Sequence, residues 1–198
     1  CETIAIFGDY DVDGATSCAL LLRFFNTVGC KAIFYVPDRM AEGYGPNEAA
    51  MKKLCDQGAG LVITVDCGIT AFALLAAAAG MGLDVIVVDH HEAEPSLPEA
   101  YAVVNPKRLD ESGELGHLAA VGVAFLLIVA ANRLLRKEAW YGELRPEPDL
   151  MQWLDLVALG TVCDVVPLKG LNRAFVAQGI RGLARRGNAG LMALVYVA

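Results

Sequence analysis

The 198 residues are 56% apolar and 20% charged, with a formal net charge of −7 and six cysteines. That balance excludes a disordered polyelectrolyte, and the richest apolar run, Leu118–Ala131, falls short of the roughly 20 residues a membrane span needs. The acidic total argues against a basic nucleic-acid surface across the whole chain, although acids gathered in one place can hold cations that locally reverse the sign.

Taken in chain order, short β-rich runs alternate with helical stretches. Strands are predicted at Thr3–Phe7, Lys31–Val36, Leu61–Val65, Asp84–Val88 and Ala102–Val104. Between them, helical spacing is read over Gly14–Val28, Pro46–Gln57 (with Pro at its first turn) and Ala71–Ala79. Continuous apolar strands separated by helices predict an α/β fold, a doubly wound and mostly parallel five-stranded sheet flanked by helices, over about residues 1–110. An α-helical C-terminal part follows over about 115–198, with helices at Leu118–Arg136, Asp149–Cys163, Asn172–Arg185 and Ala189–Val197. Gly142–Pro148 reads as a loop. Both ends fall in or against an element, so the sequence is expected to belong to a longer chain. The cysteines, at 1, 18, 30, 55, 67 and 163, form no CxxC. They predict reduced core residues of a cytoplasmic protein.

In open α/β sheets function gathers beyond the carboxyl ends of the strands. Here the first strand runs into Gly8-Asp9-Tyr10-Asp11-Val12-Asp13-Gly14, the third into Asp66-Cys67-Gly68 and the fourth into Asp89-His90-His91. A further acid, Asp164, stands near the end of a predicted helix in Gly160-Thr161-Val162-Cys163-Asp164-Val165-Val166-Pro167-Leu168. Alternating carboxylates repel unless a cation neutralises them, and added imidazoles bring Mn²⁺ into the candidate set beside Mg²⁺. Two such ions about 3.5–4 Å apart, bridged by one carboxylate, suit phosphoryl chemistry. Asp66 lies between the other two clusters and is the natural bridge.

Each part also has an ordinary reading. An Asp after a strand is often a helix cap, and a His-His pair is often solvated surface. A calcium loop starting at Asp9 would need Glu at its twelfth position, where this sequence has Leu20. A dinucleotide-binding module would need GxGxxG after the first strand, which is absent. Three strand ends bearing these groups in one sheet favour the metal site.

With these motifs in order, the sequence resembles the DHH superfamily of phosphoesterases in its RecJ-type branch. Asp9–Gly14, Val65–Gly68, Asp89–His91 and the Asp164 segment match the four motifs, and Glu42–Asn47, Val104–Pro106 and Ala120–Phe125 extend the likeness over nearly the whole chain. The resemblance implies two divalent ions, Mn²⁺ or Mg²⁺, held by Asp11, Asp13, Asp66, His90 and Asp164, with Asp66 bridging. It implies catalytic roles for Asp66, for Asp9 as ligand or water orienter, and for His91 facing the scissile phosphate. Asp155 is a second candidate for the fourth-motif acid. Phe7 stands where related phosphatases carry His, and Cys67 where many relatives carry Asn, with a small filler as its plainer reading. Arg39, Tyr44, Asn105 and Lys107, with Arg108 and His117, are possible substrate groups. The implied activity is metal-dependent 5′→3′ exonuclease action on single-stranded DNA in repair and recombination. The alternative is a small-substrate phosphodiesterase or phosphatase of the same superfamily. Single-stranded DNA is the implied partner, with no membrane. Further C-terminal domains of DHHA1 and OB-fold type, absent from these residues, would supply most of the substrate grip.

Overall fold

The computed structural model describes residues 2–43 and 45–197. Five strands, β1 (Thr3–Gly8), β2 (Ala32–Tyr35), β3 (Ala59–Val65), β4 (Asp84–Val88) and β5 (Ala102–Val104), form one sheet in the order β2-β1-β3-β4-β5. Every neighbouring pair is parallel. The α/β class and the five strands therefore stand as expected.

Helices cover both faces, so the strands are apolar on both sides. On one face Ile6, Ile63, Val65 and Val88 pack with α1 (Val12–Thr27), α5 (Ala120–Lys137) and α6 (Leu154–Cys163). On the other, Ala5, Phe7, Val62, Val85 and Val87 pack with α3 (Glu48–Asp56) and α4 (Phe72–Gly80). The remaining helices are the single turn α2 (Arg39–Glu42), α7 (Gly170–Leu183) and α8 (Ala189–Val197). No helix is long and apolar enough to cross a membrane among the described residues.

Most element ends shift by one or two residues from the sequence reading, and three differences trace to a polar side chain that competes for backbone N–H groups. Pro46 precedes α3 rather than opening it, because Asn47 caps the helix by accepting from Ala50 N at 2.8 Å. Asp38 accepts from Met40 N and Ala41 N and winds α2 where a loop was expected. Asp149 caps a 3-10 turn, Leu150–Trp153, which takes the first residues of the helix predicted at Asp149–Cys163.

Strand register positions the site. Gly8 pairs with Val65, Val65 with Val88, and Val88 with Val104. The ladder runs one residue further: Asp9 N donates to Val65 O, Asp66 N to Val88 O and Asp89 N to Val104 O. Asp9, Asp66, Asp89 and Asn105 thus stand in a row along the carboxyl edge. The chain order reverses between β1 and β3, the crevice where such sheets bind ligands.

Candidate metal centre

Asp9, Asp66 and Asp89 are 4%, 2% and 0% exposed, unusual burial for aspartate. Burial raises the Asp9 and Asp66 carboxyls above their ordinary range, Asp66 to about 7. Asp66 also holds a left-handed backbone, φ 61°. That costs a non-glycine residue about 1–2 kcal/mol and is typical of sites that over-determine their geometry.

The loop after β1 is kept tight by Gly14, where a Cβ would come within 2.5–2.8 Å of the Asp9 backbone. Asp11 caps α1 through Gly14 N at 2.9 Å and remains exposed. Asp13, 1% exposed, accepts from Ala120 N at 2.6 Å and Val121 N at 2.9 Å. It therefore caps α5, which has no cap from its own segment. Burial outweighs these bonds and raises the Asp13 carboxyl to about 6. From the other side α6 delivers Asp164 at its C-terminal end, followed by Val165 at φ 59°. A positive φ is a genuine outlier for a β-branched residue. Burial again raises Asp164.

His90 is 6% exposed and links these acids. Its Nδ1 lies 3.0 Å from Leu118 O and donates to it, which turns Nε2 toward the acids. Nε2 sits 3.2 Å from Asp66 Oδ1 and 3.9 Å from Asp13 Oδ2, while Asp164 Oδ2 is 3.7 Å from Nδ1. Burial opposes protonation of the ring, but Asp66, Asp164 and Asp13 outweigh it and lift His90 to about 9. His91 is half-exposed, and its Nδ1 donates to Asp89 Oδ1 at 2.7 Å. That bond, ahead of opposing burial, raises His91. Asp89 also accepts from Ile69 N, His90 N and His91 N. Burial pushes its carboxyl up, yet the His91 bond and charge, with these backbone donors, hold it below the ordinary value.

Among the described residues, three overlapping groups have ligand atoms within 4.8 Å of one another: Asp9, Asp11 and Asp66; Asp13, His90 and Asp164; and Asp66, His90 and His91. Within them Asp66 Oδ1, His90 Nε2 and Asp164 Oδ2 are buried without a hydrogen-bond partner. Unsatisfied buried polar atoms are costly, and three on one cluster of anionic and imidazole donors fit divalent cations. The raised carboxyls and imidazole say the same: without cations, protons neutralise the cluster.

Asp155 is buried at the other end of α6, accepts from Leu156 N and belongs to none of these groups. Asn105, expected to hold substrate, is 3% exposed, and its side chain is spent on His91 O and Lys107 N, bracing the histidine loop. Lys107 pairs with Glu92 and Arg108 with Asp110. Arg39 lies over the Tyr10 ring at 5.0 Å. Tyr44 lies outside the described residues. Cys67 is buried, donates to Val65 O, and burial raises its thiol far above the usual range, as suits a filler. Sequence reasoning gave no role to Asp89, although its place directly before two histidines was the available signal.

Fold and site together define an α/β domain with clustered carboxylates and imidazoles that could hold divalent cations at the switch point of its sheet. The chain belongs to the DHH family, whose N-terminal domain it matches over residues 3–161. It is 44% identical over 197 residues to the single-stranded-DNA-specific exonuclease RecJ of Bacillus subtilis, covering 100% of this chain and 23% of that protein. It is 42% identical to the RecJ of Escherichia coli, covering 98% of this chain and 34% of that protein. A crystal structure of exonuclease RecJ bound to manganese superposes with TM-score 0.77 at 36% identity, over 91% of this chain and 43% of that one. The chain thus spans about a quarter to a third of the length of these curated relatives.

Proposed function

We propose that this chain carries the metal-dependent hydrolytic centre of a single-stranded-DNA-specific exonuclease acting 5′→3′ and releasing 5′-mononucleotides. The observation that carries the reading is the set of overlapping donor groups sharing Asp66 and His90, with three orphaned buried donor atoms. Asp9, Asp11, Asp13, Asp66, His90 and Asp164 would hold two divalent cations, Mn²⁺ or Mg²⁺, with Asp66 common to both. When bound, the cations supply Lewis acidity toward a phosphodiester and neutralise the carboxylates.

The chain's own groups do the remainder. Leu118 O fixes His90 with Nε2 toward the acids. Asp89 fixes His91 through Nδ1, leaving Nε2 for the substrate phosphate. The Asp89 bond raises the His91 pKa and so favours the charged ring, suited to stabilising negative charge on a phosphoryl oxygen. A non-catalytic scaffold needs none of this donor set. The RecJ-like relatives supply the single-strand preference. Longer proteins of this kind would place further domains over the site, so the isolated chain is expected to bind metal and turn DNA over slowly.

The test is incubation with Mn²⁺ and a labelled single-stranded oligonucleotide, beside a duplex, pyrophosphate and a cyclic dinucleotide, with Asp66→Ala as control. Mononucleotides from the single strand only, lost with Asp66→Ala, support the reading. Turnover of a small substrate alone would replace it with a phosphatase or cyclic-dinucleotide activity.

A further inference from the structure

His90 borders not only the metal cluster but a cavity of about 860 Å³ that opens toward the start of α7, with Lys107, Arg108, His117, Lys169 and Gly170 also lining it. Its two walls are joined. Asn172, on the first turn of α7 and fully buried, donates to His117 O at 2.6 Å and Pro167 O at 3.1 Å. The cavity is therefore set by the fold rather than by exposed loops alone. Of its cations, Lys107 is paired with Glu92 at 3.0 Å and Arg108 with Asp110. Lys169 is exposed and has no ion pair among the described residues, although the chain has seven more acids than bases. It is also the residue before α7, whose first turn no side chain caps. The lining also carries Glu92, committed to Lys107, and Glu114, and it shares His90 with the metal centre; the unpaired Lys169 charge there suits an anion.

We propose that this cavity is a second phosphate subsite, where Lys169, on a lining it shares with the Glu92-paired Lys107, pairs with the phosphate adjacent to the one held at the aspartates. The inference rests on the phosphodiester reading above. A substrate with one phosphate at the metal cluster must leave that cluster through neighbouring space, and this cavity borders it at His90. Lysine presents a point charge without directional demands, so the subsite reads backbone and not base. The ligand class is a sequence-neutral nucleic-acid backbone spanning at least two phosphates.

The chain loaded with Mn²⁺ is titrated calorimetrically with thymidine 5′-monophosphate and thymidine 3′,5′-bisphosphate, after Mn²⁺ binding itself has been measured. The wild type should prefer the bisphosphate. Lys169→Ala should cut that preference about tenfold, the low end for a charge-assisted hydrogen bond. Lys169→Glu should abolish it, Lys169→Arg should restore most of it, and Lys52→Ala, on the exposed face of α3, should leave it unchanged. With a thymidine oligonucleotide, Lys169→Ala should lower the salt slope of log K by about 0.7. Equal affinity of the wild type for both nucleotides, or a full bisphosphate preference in Lys169→Glu with normal Mn²⁺ binding, overturns the subsite alone. Normal Mn²⁺ binding with neither nucleotide bound overturns the phosphodiester reading and the subsite with it.

Discussion

Strand β4 is bracketed by two aspartates of opposite character. Asp84 opens it at the amino edge of the sheet and is exposed to water. Asp89 follows it at the carboxyl edge, is 0% exposed, and accepts four hydrogen bonds from Ile69, His90 and His91. The contrast extends across the sheet, since Asp9 and Asp66 are buried beside Asp89. Water solvates the amino-edge acid at no cost. The carboxyl-edge acids have lost their water, and Asp66 has no hydrogen-bond partner for Oδ1 in its place. Burial of a carboxylate oxygen without compensation is what a cation would repair, and Asp66 stands at the edge where the chain order reverses.

The sharpest way to break this comparison is to remove one charge at each edge. Asp66→Asn should abolish high-affinity Mn²⁺ binding in calorimetry and reduce hydrolysis of a single-stranded oligonucleotide below detection, because two donor groups share that carboxylate. Asp84→Asn should change neither. Equal behaviour of the two variants would show that the edges do not differ in function. Asp89→Asn comes next. It keeps the carbonyl acceptor but loses the charge that orients and protonates His91. Hydrolysis should fall about 10–100-fold, as for other residues that orient a metal-site imidazole. Mn²⁺ stoichiometry should be unchanged, and the activity profile should lose its limb from His91 protonation.

A change of pH sharpens the same contrast without mutation. Without metal, Asp13 is raised from 3.8 to about 6 and Asp66 from 3.8 to about 7, while His90 is raised from 6.5 to about 9. For all three the folded chain binds its proton more tightly than the unfolded chain. Their contribution is thus full at low pH and is lost as pH rises through the folded values. Asp89, lowered, acts oppositely and only at more acid pH. The metal-free chain should therefore show a Tm that falls between about pH 4 and pH 9, from the unfolded carboxylate value of 3.8 through the folded value of about 9 for His90. Saturating Mg²⁺ competes with those protons, so the gap between metal-loaded and metal-free Tm should widen with pH. A gap independent of pH would mean that the cluster does not bind the ion.

How far the sequence carried this picture depends on the range of the interaction. The five strands were legible because each is a continuous apolar run, and the acids at their ends followed once the sheet was parallel. Asp13 as the cap of α5 was not legible, since it joins residues 107 and 108 apart in sequence. The only hint was that the helix predicted from Leu118 has no Ser, Thr, Asp or Asn directly before it. The left-handed backbone of Asp66 and the inward turn of Asn105 were equally hidden. Each depends on what the neighbouring strand places alongside, which local propensity does not encode. The short helix at Arg39–Glu42 was missed for a local reason, because Asp38 caps a turn too brief to show periodicity.

Helix α6 offers the finest version of the comparison, since both of its ends carry an acid that fits the fourth motif. Asp155 lies in its first turn and Asp164 caps its last, roughly 13 Å apart at 1.5 Å per residue. Only Asp164 approaches His90, and only its Oδ2 is buried without a hydrogen-bond partner. Gly160 suits the approach, since a Cβ there would overlap Thr16 and press against Asp13 Oδ1. Asp155 instead accepts from Leu156 N, a bond that an asparagine carbonyl can also make. Asp155→Asn should therefore leave Mn²⁺ affinity unchanged and shift unfolding stability in urea by no more than about 1 kcal/mol. Asp164→Asn should weaken Mn²⁺ binding. A loss of metal affinity in Asp155→Asn matching that in Asp164→Asn would mean that charge along α6, rather than position at its end, governs the centre.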